Sequence, residues 1–299
     1  MNKDVVFWIG VKSNDPALIK KHGNFEYLDV SRKSWKYWCE QNNVQFFEYN
    51  NPADQDTGKN RVTWQRWFDV FDQLEQNNVQ FFEYNNPADQ DTGKNRVTWQ
   101  RWFDVFDQLE QNSTEYSKVA LVDASSIIRW DTPNFFKEVK DNPVAFRSLE
   151  NIKWIYEGVR GYSKLFDDYK FNLTEYVSCG FQIFDKSHKP FLDKVKEFYY
   201  NNQEEILKLQ KSVSRGTDQP VYNYLKQIHK VKFDYISPAY MVTHLNRFDW
   251  LGGNWQLKED STPFFVKYGY IWFFSGFDKT QRGRLMNQTW DIIKENYEE

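Results

Sequence analysis

Lys118-Val119-Ala120-Leu121-Val122-Asp123-Ala124-Ser125-Ser126 decides the fold. A short apolar run ending in a carboxylate reads as a buried parallel strand that delivers Asp123 to the carboxyl edge of a sheet. Open α/β sheets bind ligands at that edge, so a metal-nucleotide site would sit there. The competing reading is local: Asp123 caps the polar turn Asp123-Ala124-Ser125-Ser126, or the helix after it. Other segments must separate the two.

Working outward, the chain alternates strand and helix patterns. Val5-Val6-Phe7-Trp8-Ile9-Gly10-Val11 reads as a strand, and a helix is expected around Ser31 to Glu40. Pro143-Val144-Ala145-Phe146 and Tyr176 to Phe184 read as further strands. A single long amphipathic helix is expected from about Pro190 to Lys211, with Phe191, Val195, Phe198, Ile206 and Leu207 on its apolar side. Such alternation implies right-handed crossovers and a largely parallel sheet. No linker-like or low-complexity stretch interrupts it, so residues 1–299 are expected to form one domain.

An internal repeat complicates this order. Residues 40–77 recur letter for letter at 75–112, giving tandem units 40–74 and 75–109. Each holds a strand candidate (Val44 to Tyr49, then Val79 to Tyr84), a polar loop and a helix. In the second helix Trp99, Trp102, Phe103, Phe106 and Leu109 form an apolar stripe. Solenoids need about three repeats to bury a continuous core, so two copies within a non-repeating chain read as an insertion into an existing fold. Either strand copy could be the one that pairs in the sheet.

The 299 residues, 19% of them aromatic, are enough for a sizeable core. A net charge of -3 with no long basic block gives no support to a nucleic-acid partner or an anionic membrane surface. No apolar run approaches the roughly 20 residues of a membrane span. With only Cys39 and Cys179, and Met1 leading straight into a strand, a soluble cytoplasmic protein is expected. Gly-x-Gly-x-x-Gly, Walker, Cys-x-x-Cys and Gly-x-Ser-x-Gly patterns are all missing from the sequence.

Five segments, taken in order, resemble the GT-A glycosyltransferases, in particular glycogenin-like and bacterial galactosyltransferase-like enzymes. Thr98-Trp99-Gln100-Arg101-Trp102 resembles that family's arginine-bearing helix, and Tyr116 to Ser125 its Asp-X-Asp strand. Tyr176-Val177-Ser178-Cys179-Gly180-Phe181-Gln182-Ile183-Phe184 resembles the small-residue segment beside the donor sugar. Arg215-Gly216-Thr217-Asp218-Gln219-Pro220-Val221-Tyr222-Asn223 is similar to the Asp-Gln motif at a helix start. Tyr270-Ile271-Trp272-Phe273-Phe274-Ser275-Gly276 is similar to the C-terminal His-Phe-x-Gly segment. The resemblance runs from Val5 to about Trp290 and implies a Rossmann-like α/β domain with a mostly parallel central sheet flanked by helices, here carrying the duplicated strand-helix unit. It also implies transfer of a hexose from a nucleoside-diphosphate sugar to a hydroxyl acceptor, such as a glycan or polysaccharide.

The resemblance carries over residue by residue. Asp218 and Gln219 correspond to the catalytic pair that orients the donor sugar. Lys12, Ser13, Asn14, Arg101, Asp123, Ser125, Ser178, Cys179 and Gly180 correspond to donor-binding positions. In the family two acids and a distal His hold Mn2+ or Mg2+. Here Ser125 replaces the second acid and Phe273 the His, a poor set for a hard cation that wants several oxygens. Asp123 with His244 would be the remaining metal ligands, and Arg282 with Arg284 an alternative clamp for the diphosphate.

Each of these residues also has a bland reading. Asp218 or Thr217 can cap a helix before Pro220, Arg101 and its twin Arg66 can be surface ion-pair partners, and His244 can be structural. Cys179 beside Gly180 reads as a small packing residue rather than a nucleophile. The substitutions Ser125 and Phe273 motivate a second hypothesis, a catalytically degenerate protein that binds sugar nucleotides or glycans. A third gives the duplicated unit a role in protein interaction.

Overall fold

The computed structural model describes residues 3–10, 26–49, 102, 105–106, 109–110, 116–148, 151–237, 240–243, 264–275 and 279–297. Six strands form the central sheet: β1 (Lys3–Ile9), β2 (Gln45–Tyr49), β3 (Tyr116–Asp123), β5 (Val144–Arg147), β6 (Val177–Phe184) and β7 (Asp234–Tyr235). Their order is β2-β1-β3-β6-β5-β7. β1 pairs in parallel with β2 and β3, and β5 in parallel with β7, whereas β6 runs antiparallel to both its neighbours. The sheet is mostly parallel, as the alternating pattern implied, with one reversed strand that the pattern did not show. Two short strands, β4 (Ser126–Ile128) and β8 (Ile271–Phe273), make a separate antiparallel ribbon.

The pleat sorts the strand residues into two cores, because successive side chains point to opposite faces. Val5, Phe7, Phe47, Val119, Leu121 and Ala145 face one side, together with Trp102, Val105, Phe106 and Leu109. Helices α2 (Ile152–Tyr162), α3 (Lys189–Asn201) and α5 (Gln219–Ile228) contribute to the same core. Val6, Trp8, Phe46, Ala120, Val122, Val144 and Phe146 face the other side, covered by α1 (Glu26–Gln41) through Leu28, Trp35, Trp38 and Cys39. Burial on both faces explains why β3 is apolar without alternation from Val119 to Val122.

Buried indoles on the α1 side each find a partner. Trp8 Nε1 donates to Ser31 Oγ at 2.9 Å, Trp35 Nε1 to Ser126 Oγ at 3.0 Å and Trp38 Nε1 to the Thr132 carbonyl at 2.7 Å. These bonds join α1 to β1, to the start of β4 and to the turn after β4, so these three buried indole N–H groups are all satisfied.

Two expectations are corrected. α1 begins at Glu26, ahead of Ser31. The long helix from Pro190 to Lys211 is two helices, α3 and α4 (Gln203–Val213), joined at Asn202. The Asn202 side-chain amide donates to the Phe198 carbonyl at 2.9 Å, and its backbone N–H to the same carbonyl at 3.1 Å. An Asn that competes locally for backbone acceptors ends a helix even where the apolar spacing continues past it.

The repeat is shared between two places in the fold. The strand that pairs with β1 is the first copy's, Gln45–Tyr49. The helical residues buried in the core, Trp102, Val105, Phe106 and Leu109, belong to the second copy. Their spacing makes one stripe of a helix. Val79 to Tyr84, Arg66, Trp99 and Phe103 lie outside the described residues.

Candidate functional site

The parallel strands β1, β2 and β3 end together, with Ile9 in register with both Tyr49 and Asp123. Asp123 therefore stands at the carboxyl edge of the sheet. It also closes the turn, since Oδ1 accepts the Ser125 N–H at 2.9 Å and the Asp123 carbonyl accepts the Ser126 hydroxyl. Asp123 is both a local cap on one oxygen and a residue at the carboxyl edge of the sheet.

The reversed strand matters here. β3 Val122 is in register with Phe181 of β6, so the start of β6, Ser178-Cys179-Gly180, reaches the edge where Asp123 ends β3. Ser178 Oγ accepts the Gly180 N–H at 3.2 Å, and the Ser178 carbonyl accepts Gln182 Nε2 at 2.9 Å. β8 arrives from the far end of the chain. Phe273 is in register with Ser126, and the Phe274 N–H donates to the Ser125 carbonyl at 2.8 Å. A Cβ on Gly180 would lie 2.8 Å from Phe273 Cε1, so Phe273 packs directly against the start of β6.

The N-terminus of α5 locks onto the same segment. Gln219 Oε1 accepts the Cys179 N–H at 3.0 Å. Asn223 accepts the Val177 N–H at 2.8 Å and donates to the carbonyls of Val177 and Gln219, each at 2.9 Å. Asp218 occupies the N-cap position, but its side chain makes no capping bond. Pro220 explains part of this, because the second residue of the helix has no N–H to offer. The buried Asp218 carboxylate instead accepts Trp102 Nε1 on Oδ2 at 2.8 Å and Thr217 Oγ1 on Oδ1 at 2.9 Å. Behind it the Tyr222 hydroxyl, which burial holds neutral well above the usual phenol range, donates to Gln182 Oε1 at 2.7 Å.

Arg282, on α6 (Lys279–Ile293), comes to the Asp123 side of the site through Phe274 and Tyr27. Its Nε donates to the Phe274 carbonyl at 3.0 Å, and its guanidinium carbon lies 5.9 Å from the Tyr27 ring centre. Burial raises the Tyr27 hydroxyl above the usual phenol range. A hydrogen bond and the charge from Arg282 oppose this, and the Asp123 charge adds to it. Tyr27 is thus within the influence of both the cation and the acid. Arg284 is exposed on the same helix.

The structure accordingly brings together Asp123, Ser125, Ser178, Cys179 and Gly180, with Asp218 and Gln219 held against β6. Lys12, Ser13, Asn14, Arg101 and His244 lie outside the described residues. Among the described residues no group of three or more His, Cys, Asp or Glu could hold a metal ion. Asp123 has one oxygen engaged by the turn, Ser125 supplies only a neutral hydroxyl, and Phe273 is apolar. These residues do not fit a hard divalent cation, which wants several oxygen ligands. The buried Ser125 Oγ has no hydrogen-bond partner among the described residues. Such a group costs about 1–3 kcal/mol unless something satisfies it, so the hydroxyl is suited to a polar ligand atom at this edge.

Sequence reasoning passed over Trp102, Tyr222, Gln182, Asn223 and Tyr27. Trp102, Tyr222, Asn223 and Gln182 lie inside quoted motif segments. Trp102 carried the spacing of a core residue, and nothing in its local sequence announces a carboxylate partner.

No protein-family model matches the chain, and neither does any curated protein. Among solved structures, the chain is similar to a glycosyltransferase involved in glycosylation of the major capsid of PBCV-1. The TM-score is 0.51 and the identity 9%, over 96% of this chain and 99% of that one. It is also similar to the galactosyltransferase LgtC in complex with donor and acceptor sugar analogs, with TM-score 0.51 and 14% identity over 95% of each chain. At these identities the likeness establishes the fold, and the chain has the mixed α/β, GT-A-like fold of these glycosyltransferases.

Proposed function

We propose that the protein is a glycosyltransferase that moves a hexose from a nucleoside-diphosphate sugar to a hydroxyl acceptor, a glycan or polysaccharide. The observation that carries this reading is the convergence of three distant segments at one sheet edge: the Asp123 turn, the Ser178–Gly180 start of β6, and Asp218-Gln219 held against it. A GT-A-like fold alone would not license it.

In this reading the bond from the anomeric carbon to the diphosphate oxygen breaks with its electron pair leaving on the diphosphate, and the acceptor oxygen bonds to that carbon as its proton passes to the departing diphosphate or to solvent. Asp218 and Gln219 orient the sugar hydroxyls. Ser178, Cys179 and Gly180 shape the floor of the donor pocket, where the missing Cβ of Gly180 keeps Phe273 from being displaced. Asp123 and Ser125 accept and donate to the ribose or diphosphate end. Lys12, Ser13, Asn14 and Arg101 are assigned to the nucleotide.

Charge develops on the leaving diphosphate and must be met by fixed positive charge. Because the described ligand set does not fit Mn2+ or Mg2+, that role is assigned to Arg282, assisted by the exposed Arg284. Asp123 and His244 are the residues left to bind a metal if one is required.

The test is release of nucleoside diphosphate from a panel of sugar nucleotides, with water or simple glycans as acceptor, with and without manganese or a chelator. Release that persists in chelator and falls at least tenfold in Arg282→Ala is expected. Manganese-dependent release lost in Asp123→Ala would transfer the charge to a metal. Phe273 packed on Gly180 favours one second reading, a sugar-nucleotide-binding protein without turnover. Folded protein that binds donors but releases nothing would establish that reading instead.

A further inference from the structure

Apart from Arg101, the duplicated unit has no assigned part in the reaction above, yet its second copy touches the candidate catalytic acid. Trp102 is 1% exposed, and its Nε1–H donates to Asp218 Oδ2 at 2.8 Å. Its ring is stacked on Tyr222, with centroids 4.2 Å apart and planes at 22°. Tyr222 is itself tied through its hydroxyl to Gln182, whose amide holds the Ser178 carbonyl. The indole is therefore fixed by packing on one side of a hydrogen-bonded chain that ends at the start of β6.

A buried carboxylate needs donors. The inexpensive local choice, capping α5, is not taken by Asp218. Its carboxylate turns instead toward the second copy's helix, and an indole N–H meets it there. That donor fixes the direction of one oxygen without adding a counter-charge, while the Thr217 hydroxyl engages the other, so it orients the acid.

We propose that Trp102 is a positioning residue: the second copy of the repeat supplies the indole N–H that sets the Asp218 carboxylate. The contact stands on geometry alone. Its kinetic consequence rests on the transferase reading.

The first test needs no substrate. In 1H–15N spectra of the full chain, which has 13 tryptophans, Trp102→Phe identifies one indole N–H resonance by its loss. That resonance is expected to move in Asp218→Asn and to stay in place in Trp67→Phe. If Trp102→Phe does not fold, the resonance must be the one that moves in both Asp218→Asn and Thr217→Val. An indole spectrum unchanged by Asp218→Asn overturns the proposal, and so does a Trp67→Phe variant that loses the same resonance.

The second test is kinetic. Trp102→Phe keeps the stacked ring and is expected to lower kcat about tenfold or more, with donor KM within about twofold, as small misplacements of reacting groups do. Trp67→Phe is expected to match the unmodified chain. A rise in KM with kcat unchanged overturns the positioning role. If no donor is turned over by the unmodified chain, the transferase reading fails, while the spectra still decide the Trp102–Asp218 contact.

Discussion

At the scale of single residues, Gly180 shows how tightly the candidate site is packed. A Cβ there would stand 2.8 Å from Phe273 Cε1, closer than side chains tolerate. Phe273 is buried and its backbone is held by β4, so the ring cannot retreat freely. Gly180→Ala is expected to cost about 1–3 kcal/mol, the usual penalty of overpacking. Phe273→Leu should cost about 1 kcal/mol or more on its own through lost packing. Combined, the two should cost less than their sum, because the smaller side chain makes room for the methyl group. Urea denaturation of the four proteins of this cycle checks it, and strict additivity would show that the two positions do not press on each other.

At the scale of elements, α5 and β6 act as one piece through Asn223. Its side chain satisfies both buried backbone groups of Val177 and the partly buried Gln219 carbonyl. Asn223→Ala leaves the Val177 N–H and carbonyl without these partners and is expected to destabilise the fold by about 2–4 kcal/mol. Asn223→Asp keeps the acceptor for the N–H and loses the donor, so it should fall between. Denaturation midpoints of the two variants, in that order, are the measurement.

The same elements show what the sequence made legible. β3 ended at Asp123 as its apolar run implied, because burial on both faces leaves a one-dimensional signature. The reversal of β6 left none, since an apolar strand has the same pattern in either direction. Yet that reversal is what carries Ser178 to Gly180 to the Asp123 edge. The break at Asn202 was hidden because α3 and α4 keep a common apolar spacing, and only the amide's bond to the Phe198 carbonyl reveals it. The pairing of Trp102 with Asp218 joins residues distant in the chain, so local pattern carries no trace of it.

At the scale of the whole molecule, the aromatic interior sets a limit at high pH. Burial pushes the hydroxyls of Tyr176, Tyr222 and Tyr297 well above the usual phenol range, and that of Tyr224 up to about 12. Unfolded, each would ionise near its ordinary value of about 10. Because the folded values are raised, the native state binds more protons above that pH. Stability is full below about pH 10 and falls as pH rises through the window between unfolded and folded values. Thermal melts between pH 8 and 11 should show a steepening loss above pH 10, with the phenolate absorbance of the buried tyrosines, beyond that of the exposed ones, appearing together with unfolding. Full phenolate absorbance before any loss of circular dichroism would mean that these tyrosines are not buried in solution.

The repeat gives the strongest test of how the molecule is assembled. One strand slot beside β1 is filled by the first copy and one helix slot over the sheet by the second. Those two slots need one unit between them, and the chain carries two. Deleting residues 50–84 joins Tyr49 directly to Asn85, the counterpart of Asn50, so every residue seen in β2 and in the second helix keeps its own neighbours. The connection between the slots then shortens roughly threefold, which recovers about 1 kcal/mol of loop-closure entropy. The deletion variant is expected to fold with unchanged far-ultraviolet circular dichroism per helix and strand, to melt no lower than the full chain, and to keep the Trp102 indole resonance that responds to Asp218→Asn. A variant that folds but loses that resonance would show that the extra copy is needed to seat Trp102, and the unit would then be an integral part of the site rather than an insertion the fold can release.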